Sequence, residues 1–264
     1  MEKSLLIAKY AQTDEDKILF ARVLDKMTAA ERRGIPAATN FLTDREQVLC
    51  ERMLREAGCA DFVFYGGTPE AERAVCCFLP EYLDESYLSG EDSPIAAVRA
   101  TFRAEDTLTH RDVLGSLMGS GIKRETVGDI YVDVGRFDFL VTREILPYVL
   151  QNLASAGRVH FSVEQIGLDE IAVPPPKVQE KHESVSALRL DSVVAAGCNL
   201  SRSAASELIR RGAVTLNHLP CDKPDKAVEE GSVLSVRGKG KFKLSSVDGT
   251  TKKGRTAVTI QKYL

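Results

Sequence analysis

Residues 199–218 read NLSRSAASELIRRGAVTLNH and carry three arginines, one glutamate and no aspartate. On a helical wheel at about 100° per residue, residues 202–211 separate into two halves. Arg202, Ser203, Ser206, Glu207, Arg210 and Arg211 fall on one side, and Ala204, Ala205, Leu208 and Ile209 on the other. The apolar half predicts packing against a core, leaving a row of arginine and serine outside. Ser201 is placed to cap the start and Gly212 to end the helix. The next residues, AVTLN, alternate as a strand does, with Val214 and Leu216 opposite Thr215 and Asn217. Arg202 and Ser203 fall in the first turn, where free N–H groups and the helix dipole favour an anion. A guanidinium there can grip phosphate in a bidentate fork.

The flanks extend this element into one unit. Upstream, LRLDSVVAAG predicts a short helix with Leu190, Val193 and Val194 inward and Gly197 ending it. Downstream, EEGSVLSVRGKGKFKL predicts a turn, a strand, a Gly-Lys-Gly turn and a second strand. Arg237, Lys239, Lys241 and Lys243 crowd the tip of that hairpin, and DGTTKKGR adds a second basic loop.

The charge of the whole chain makes the basic unit stand out. The formal net charge is −3 over 264 residues. Residues 185–264 hold 14 lysines and arginines against 7 acidic residues, whereas residues 1–184 hold 21 against 31. A positive tail on a negative body points to an anionic partner for the tail, with nucleic acid first. Between them, VPPPKVQEKHESVSA opens with three prolines and continues polar, which predicts an extended and then flexible linker.

The body predicts helices over residues 4–29 and 44–57, followed by two short strands around Gly66 and Gly67. Neither G-x-x-x-x-G-K-[ST] nor G-x-G-x-x-G occurs there, so the glycine pair reads as a structural turn. Residues 95–166 follow the order β-α-β-β-α-β, that of ferredoxin-like RNA-binding modules. Thr109 and Asp112 stand at capping-box spacing before its first helix. Tyr131, Phe137, Phe139 and Phe161 are candidates to stack bases, unless their face is the core. Lys123 and Arg124, in the turn GIKRE, are candidate phosphate contacts.

The tail is specific enough to be compared with a known domain. Arg189, Leu190 and Asp191, then Ser201, Arg202, Ser203, Leu208, Ile209, Gly212, Val214 and Asn217, then Gly231 and Arg237, resemble the S4 RNA-binding domain. His218 stands where glycine commonly follows the asparagine, and Ser232 where aspartate often follows the glycine. Together with GGTPEAER and LTHRDVLGSLMGSGIKRETVGDI upstream, the chain resembles the YlmH family of bacterial proteins. The resemblance implies a non-enzymatic RNA binder on the ribosome, associated with rescue of stalled large subunits carrying peptidyl-tRNA; the cytoplasm is the default location for a chain with no signal-peptide pattern and no apolar span. Its partners would be rRNA, with tRNA nearby, and the large ribosomal subunit.

The expected architecture is therefore α+β in four stretches. Residues 1–82 form an N-terminal α/β domain and 83–172 a central RRM-like, ferredoxin-like domain. Residues 173–186 are a linker. Residues 187–264 form an S4 domain of αL-type helices and a small antiparallel sheet. The RNA-contact candidates are Arg189, Ser201, Arg202, Ser203, Arg210, Arg211, Asn217, Lys223, Arg237, Lys239 and Lys241, with Lys123 and Arg124 in the body.

Other classes are less well supported. No apolar run approaches the roughly 20 residues that span a bilayer, and the first residues lack the pattern of a signal peptide. No cofactor, metal or small-molecule substrate is expected. The six cysteines include no C-x-x-C pair and read as reduced, buried thiols. Two alternatives to a pure RNA binder stay open. RLD at 189–191 resembles the stretch around a pseudouridine synthase aspartate, although no catalytic domain surrounds it, and a methyltransferase would need a glycine-rich loop that is absent. The acidic residues 1–184 could instead serve a protein partner, as in a cell-division scaffold.

Overall fold

The computed structural model describes residues 2–251 and 254–264. Lys252 and Lys253, part of the second basic loop of the sequence, lie outside them. The chain divides into two compact units, Met1–Pro174 and Pro175–Leu264.

The first unit opens with α1 (Lys3–Tyr10), α2 (Asp14–Arg33), β1 (Ala37–Leu42), α3 (Asp44–Glu56), β2 (Val63–Tyr65) and β3 (Ala74–Phe78). Capping boxes at Thr13 and Thr43 start α2 and α3 by satisfying the free amides of each first turn. The helix expected over 4–29 breaks at Ala11, which is extended, so that Thr13 can cap α2. The strand β1 is an addition to the expected elements. The sheet order is β1-β3-β2, all antiparallel, and the central β3 is buried along its whole length. A strand covered on both faces reads as a continuous apolar run, AVCCF here.

A second sheet follows, built from β4 (Ile95–Thr101), α4 (His110–Gly119), β5 (Val127–Asp133), β6 (Arg136–Thr142) and α5 (Leu146–Asn152). A two-stranded ribbon, β7 (Ser155–Ala156) and β8 (Val159–His160), leads into β9 (Ser162–Ile166). The order β5-β6-β4-β9, antiparallel throughout, is the ferredoxin-like arrangement the sequence predicts. The Thr109–Asp112 capping box forms at the start of α4.

Strand alternation then settles the aromatic question. Phe137, Phe139, Val98 and Ala100 point to one face, where α4 and α5 cover them, and both phenylalanines are fully buried. Leu140, Ile95 and Ala97 point to the other face, against Phe41, Val75 and Cys77 of the first sheet. The unit is a sandwich of helices, sheet, sheet and helices. The sheet surface that RRM-type modules leave open for bases is covered by β1, β2 and β3. Tyr131 belongs to this inter-sheet core and shares a 2.9 Å hydrogen bond with Thr68. Phe161 packs edge-on against Phe137. None of the four aromatic candidates lies on an open sheet face.

The glycine pair behaves as a structural turn. A Cβ on Gly66 would stand 2.3 Å from Ala71 Cβ, and one on Gly67 2.6 Å from Leu140 Cδ2. The backbone there is packed closely against protein, on the side where a Cβ would stand.

The second unit contains β10 (Val178–Val185), α6 (Leu190–Cys198), α7 (Arg202–Arg210), β11 (Val214–Leu216), β12 (Leu219–Pro220), β13 (Val233–Val236), β14 (Gly240–Thr250) and β15 (Thr256–Tyr263). Its sheet runs β10-β15-β14-β13-β11-β12, antiparallel, with α6 and α7 packed on one face over Leu234, Phe242, Leu244 and Ile260. Residues 178–185, expected to be flexible linker, are instead a strand. It pairs with β15 over eight residues, from Val178↔Tyr263 to Val185↔Thr256. Pairing with a distant partner strand overrides a polar composition.

Candidate nucleic-acid interface

The helix α7 forms as the wheel predicts. Ala205 and Ile209 are fully buried, while Arg202, Ser203 and Arg210 are exposed. Ser201 accepts the Ala204 amide at 3.2 Å, and Gly212 follows the helix in the left-handed region (φ 68°). Against α6 the correction is small but informative. Gly197 lies inside the last turn, and Asn199 is the left-handed cap (φ 55°). A Cβ on Gly197 would come within 2.7 Å of the Phe242 ring, so glycine there permits close approach of helix to sheet.

The electrostatic centre of the face is Asp191, which is 4% exposed. Arg189 donates Nε to its Oδ1 and Nη2 to its Oδ2, both at 3.3 Å. From α7, Arg202 donates Nε to Oδ2 at 3.0 Å and Nη2 to Oδ1 at 3.4 Å. Burial pushes the carboxyl up, but the bonds from Arg189 and Arg202 outweigh it and hold Asp191 below the usual carboxylate range. One buried negative charge thus orients two half-exposed guanidiniums, leaving a net positive charge with defined direction. Sequence reasoning assigns Asp191 to the domain's opening motif and misses this role, because its partner Arg202 is distant along the chain.

The backbone brings further cations to both ends of α7. At its N-terminal end, the amides of Leu190 and Asp191 donate to Lys226 O at 2.8 Å and Pro224 O at 2.9 Å. These bonds dock the loop carrying Lys223 beside Arg189. Lys226, not singled out from sequence, is exposed on the same loop. At the other end, Arg237 N donates to Ala213 O at 2.9 Å, placing the Arg237–Lys239 turn beside Arg210 and Arg211. Arg211 pairs with Glu207 one turn back. Ser203 Oγ lies 3.0 Å from Ser201 Oγ.

Other candidates are placed differently. Asn217 and His218 both adopt positive φ (47° and 67°) in the turn between β11 and β12. Asn217 N donates to Val233 O at 2.7 Å and its Oδ1 accepts Val233 N at 2.9 Å, so it ties the turn to β13. His218 takes the left-handed conformation without being glycine, and Ser232 accepts the Glu229 amide at 3.1 Å, so both turns close despite the unusual residues. Lys241 lies with its ammonium 5.5 Å from the Tyr263 ring centroid.

In the first unit, Lys123 is exposed, but Arg124 turns inward and donates to Val127 O at 2.6 Å. It lines a cavity of about 780 Å³ with Arg73, whose guanidinium also bonds main-chain carbonyls, those of Val127 and Phe41. Burial, and then the neighbouring Arg73, lower the Arg124 pKa. Its role in the structure is to hold the turn before β5. The thiols of Cys50 and Cys77 are pushed up to about 12 by burial, which keeps them protonated and unreactive. Among the described residues, no helix is long and apolar enough to cross a membrane.

The family model described as "Putative RNA-binding domain in YlmH" matches residues 101–170, and the S4 domain model matches residues 188–234. A curated protein of Bacillus subtilis (strain 168), "Ribosome-associated protein quality control protein P2", is 33% identical over 227 residues, covering 85% of this chain and 86% of its own. A solved structure, "Cell division protein ylmH from Streptococcus pneumoniae", is 20% identical with a TM-score of 0.48, covering 61% of this chain and 98% of that one.

Proposed function

Because the chain belongs to the YlmH family, we propose that it binds ribosomal RNA through residues 187–264 and acts, without catalysis, in ribosome-associated quality control. The observation that carries this reading is the Asp191 carboxylate, which holds Arg189 and Arg202 side by side at the start of two helices. Guanidiniums fixed in this way bind phosphate without first losing their rotational freedom. The Bacillus subtilis relative, ribosome-associated by its name, supports rRNA as the target. The large subunit with peptidyl-tRNA is the finer form of the proposal. Burial of Asp191 at the start of α6 also argues against a nucleophilic role of the kind a pseudouridine synthase requires.

Crosslinking in cells, followed by sequencing of the attached RNA, tests the reading. Enrichment of large-subunit rRNA, with tRNA as a second class, is the expected result. Recovery of the protein only in ribosome-free fractions, with no enriched RNA, would favour the protein scaffold instead.

A further inference from the structure

Three strands of the second unit, β10, β14 and β15, lie outside the 188–234 stretch that the S4 model matches. Of these, β10 lines a groove of about 580 Å³ together with α6, the start of α7 and Arg255, which immediately precedes β15; Lys181, Glu183, Ser184, Asn199, Arg202 and Arg255 are among its lining residues. We propose that this groove is a second track for an RNA phosphate backbone, with Arg255 as its principal phosphate contact. The proposal rests on the RNA-binding reading above and extends it beyond the S4 motif.

Three observations support it. First, the groove shares Arg202 with the Asp191 cluster, so a backbone lying across Arg189 and Arg202 runs into it. Second, its cations are fixed. Lys181 Nζ donates to Ala196 O at 2.8 Å and to Asn199 Oδ1, which satisfies the negative end of α6. Arg255 Nε donates to Ser184 Oγ at 3.0 Å, and its Nη2 to Ser184 O. Third, the charges do not cancel. Glu183 pairs with Lys181 at 2.7 Å, but the partners of Arg255 are the neutral hydroxyl and carbonyl of Ser184. Among the described residues, no carboxylate lies within ion-pair distance of Arg255. An exposed guanidinium steered by neutral acceptors keeps its full charge for an incoming anion. The positive end of the α7 dipole adds potential at the rim.

The test is binding of the full-length protein to protein-free large-subunit rRNA from Bacillus subtilis across a KCl series. Removing one cation from a bound phosphate flattens the slope of log K against log[KCl] by about 0.7–0.9. Arg255→Gln should flatten it by about that amount and weaken binding about threefold or more. Arg255→Lys should retain the slope, and Arg255→Glu should weaken binding further. Because Arg255 is exposed, thermal melts of the three variants should match the wild type. Arg255→Gln with wild-type affinity and slope overturns the groove. If Arg237→Gln still weakens binding in that case, the RNA reading stands without it. A wild-type protein that shows no salt-dependent binding overturns the reading and the groove together.

Discussion

Asp191 and Arg202 lie eleven residues apart on different helices, and two hydrogen bonds from the Arg202 guanidinium to the Asp191 carboxylate join them. The carboxylate is buried while the arginine is half exposed, so the pair holds α6 and α7 together and aims a charge outward. Asp191→Ala should therefore act on both stability and binding. With Arg189 and Arg202 able to turn into solvent, the cost falls below that of breaking a fully buried pair, about 1–3 kcal/mol in urea unfolding. RNA affinity should fall further than in a variant of equal stability loss elsewhere. An Asp191→Ala protein that melts early yet binds RNA normally would restrict Asp191 to a structural role.

The exposed arginines of α7 should carry salt-dependent affinity. Arg202→Ala combined with Arg210→Ala should weaken RNA binding and flatten its dependence on KCl by about two phosphates' worth, roughly 1.4–1.8 in slope. The measurement is fluorescence anisotropy over a salt series with the fold verified by circular dichroism. Unchanged affinity in the folded double variant would contradict the proposed face.

Close approach at Gly197 predicts an over-packing penalty. Gly197→Ala places a methyl group within 2.7 Å of the Phe242 ring and should destabilise the second unit by about 1–3 kcal/mol. Phe242→Leu in the same protein should recover part of that loss, because it removes the atoms that clash. Strictly additive unfolding energies for the two substitutions would show that the helix moves away instead.

A pH dependence follows from Asp16, whose bond from Arg45 (2.7 Å) overcomes burial and lowers its pKa to about 2, helped by the amides of Gln12 and Thr13. A carboxyl depressed in the folded state contributes stability above its unfolded value of about 3.9 and loses it as pH falls through the folded value. The wild type should exceed Asp16→Asn by about 2 kcal/mol at pH 6. The difference should close between about pH 4 and pH 2 in matched denaturant titrations.

The sequence by itself determined the elements whose signals are local. The capping residues Thr109 and Ser201, the wheel of α7 and the strand alternation of AVTLN depend on neighbours within one or two turns, and the structure reproduces them. The β-α-β-β-α-β order was legible for the same reason, since each segment carries its own period. Tertiary structure decided what each face meets. Period-two alternation places Phe137 and Phe139 on one side of their strand, but only the docking of α4 and α5 makes that side the core. Likewise, only the stacking of β1, β2 and β3 closes the opposite face. The segment 178–185 reads as a linker because its composition is polar, and it is a strand because β15, more than 70 residues on, offers it a row of backbone partners. The charge of Arg202 could be read from the chain. Its direction could not, because the carboxylate that sets it belongs to a helix packed against its own.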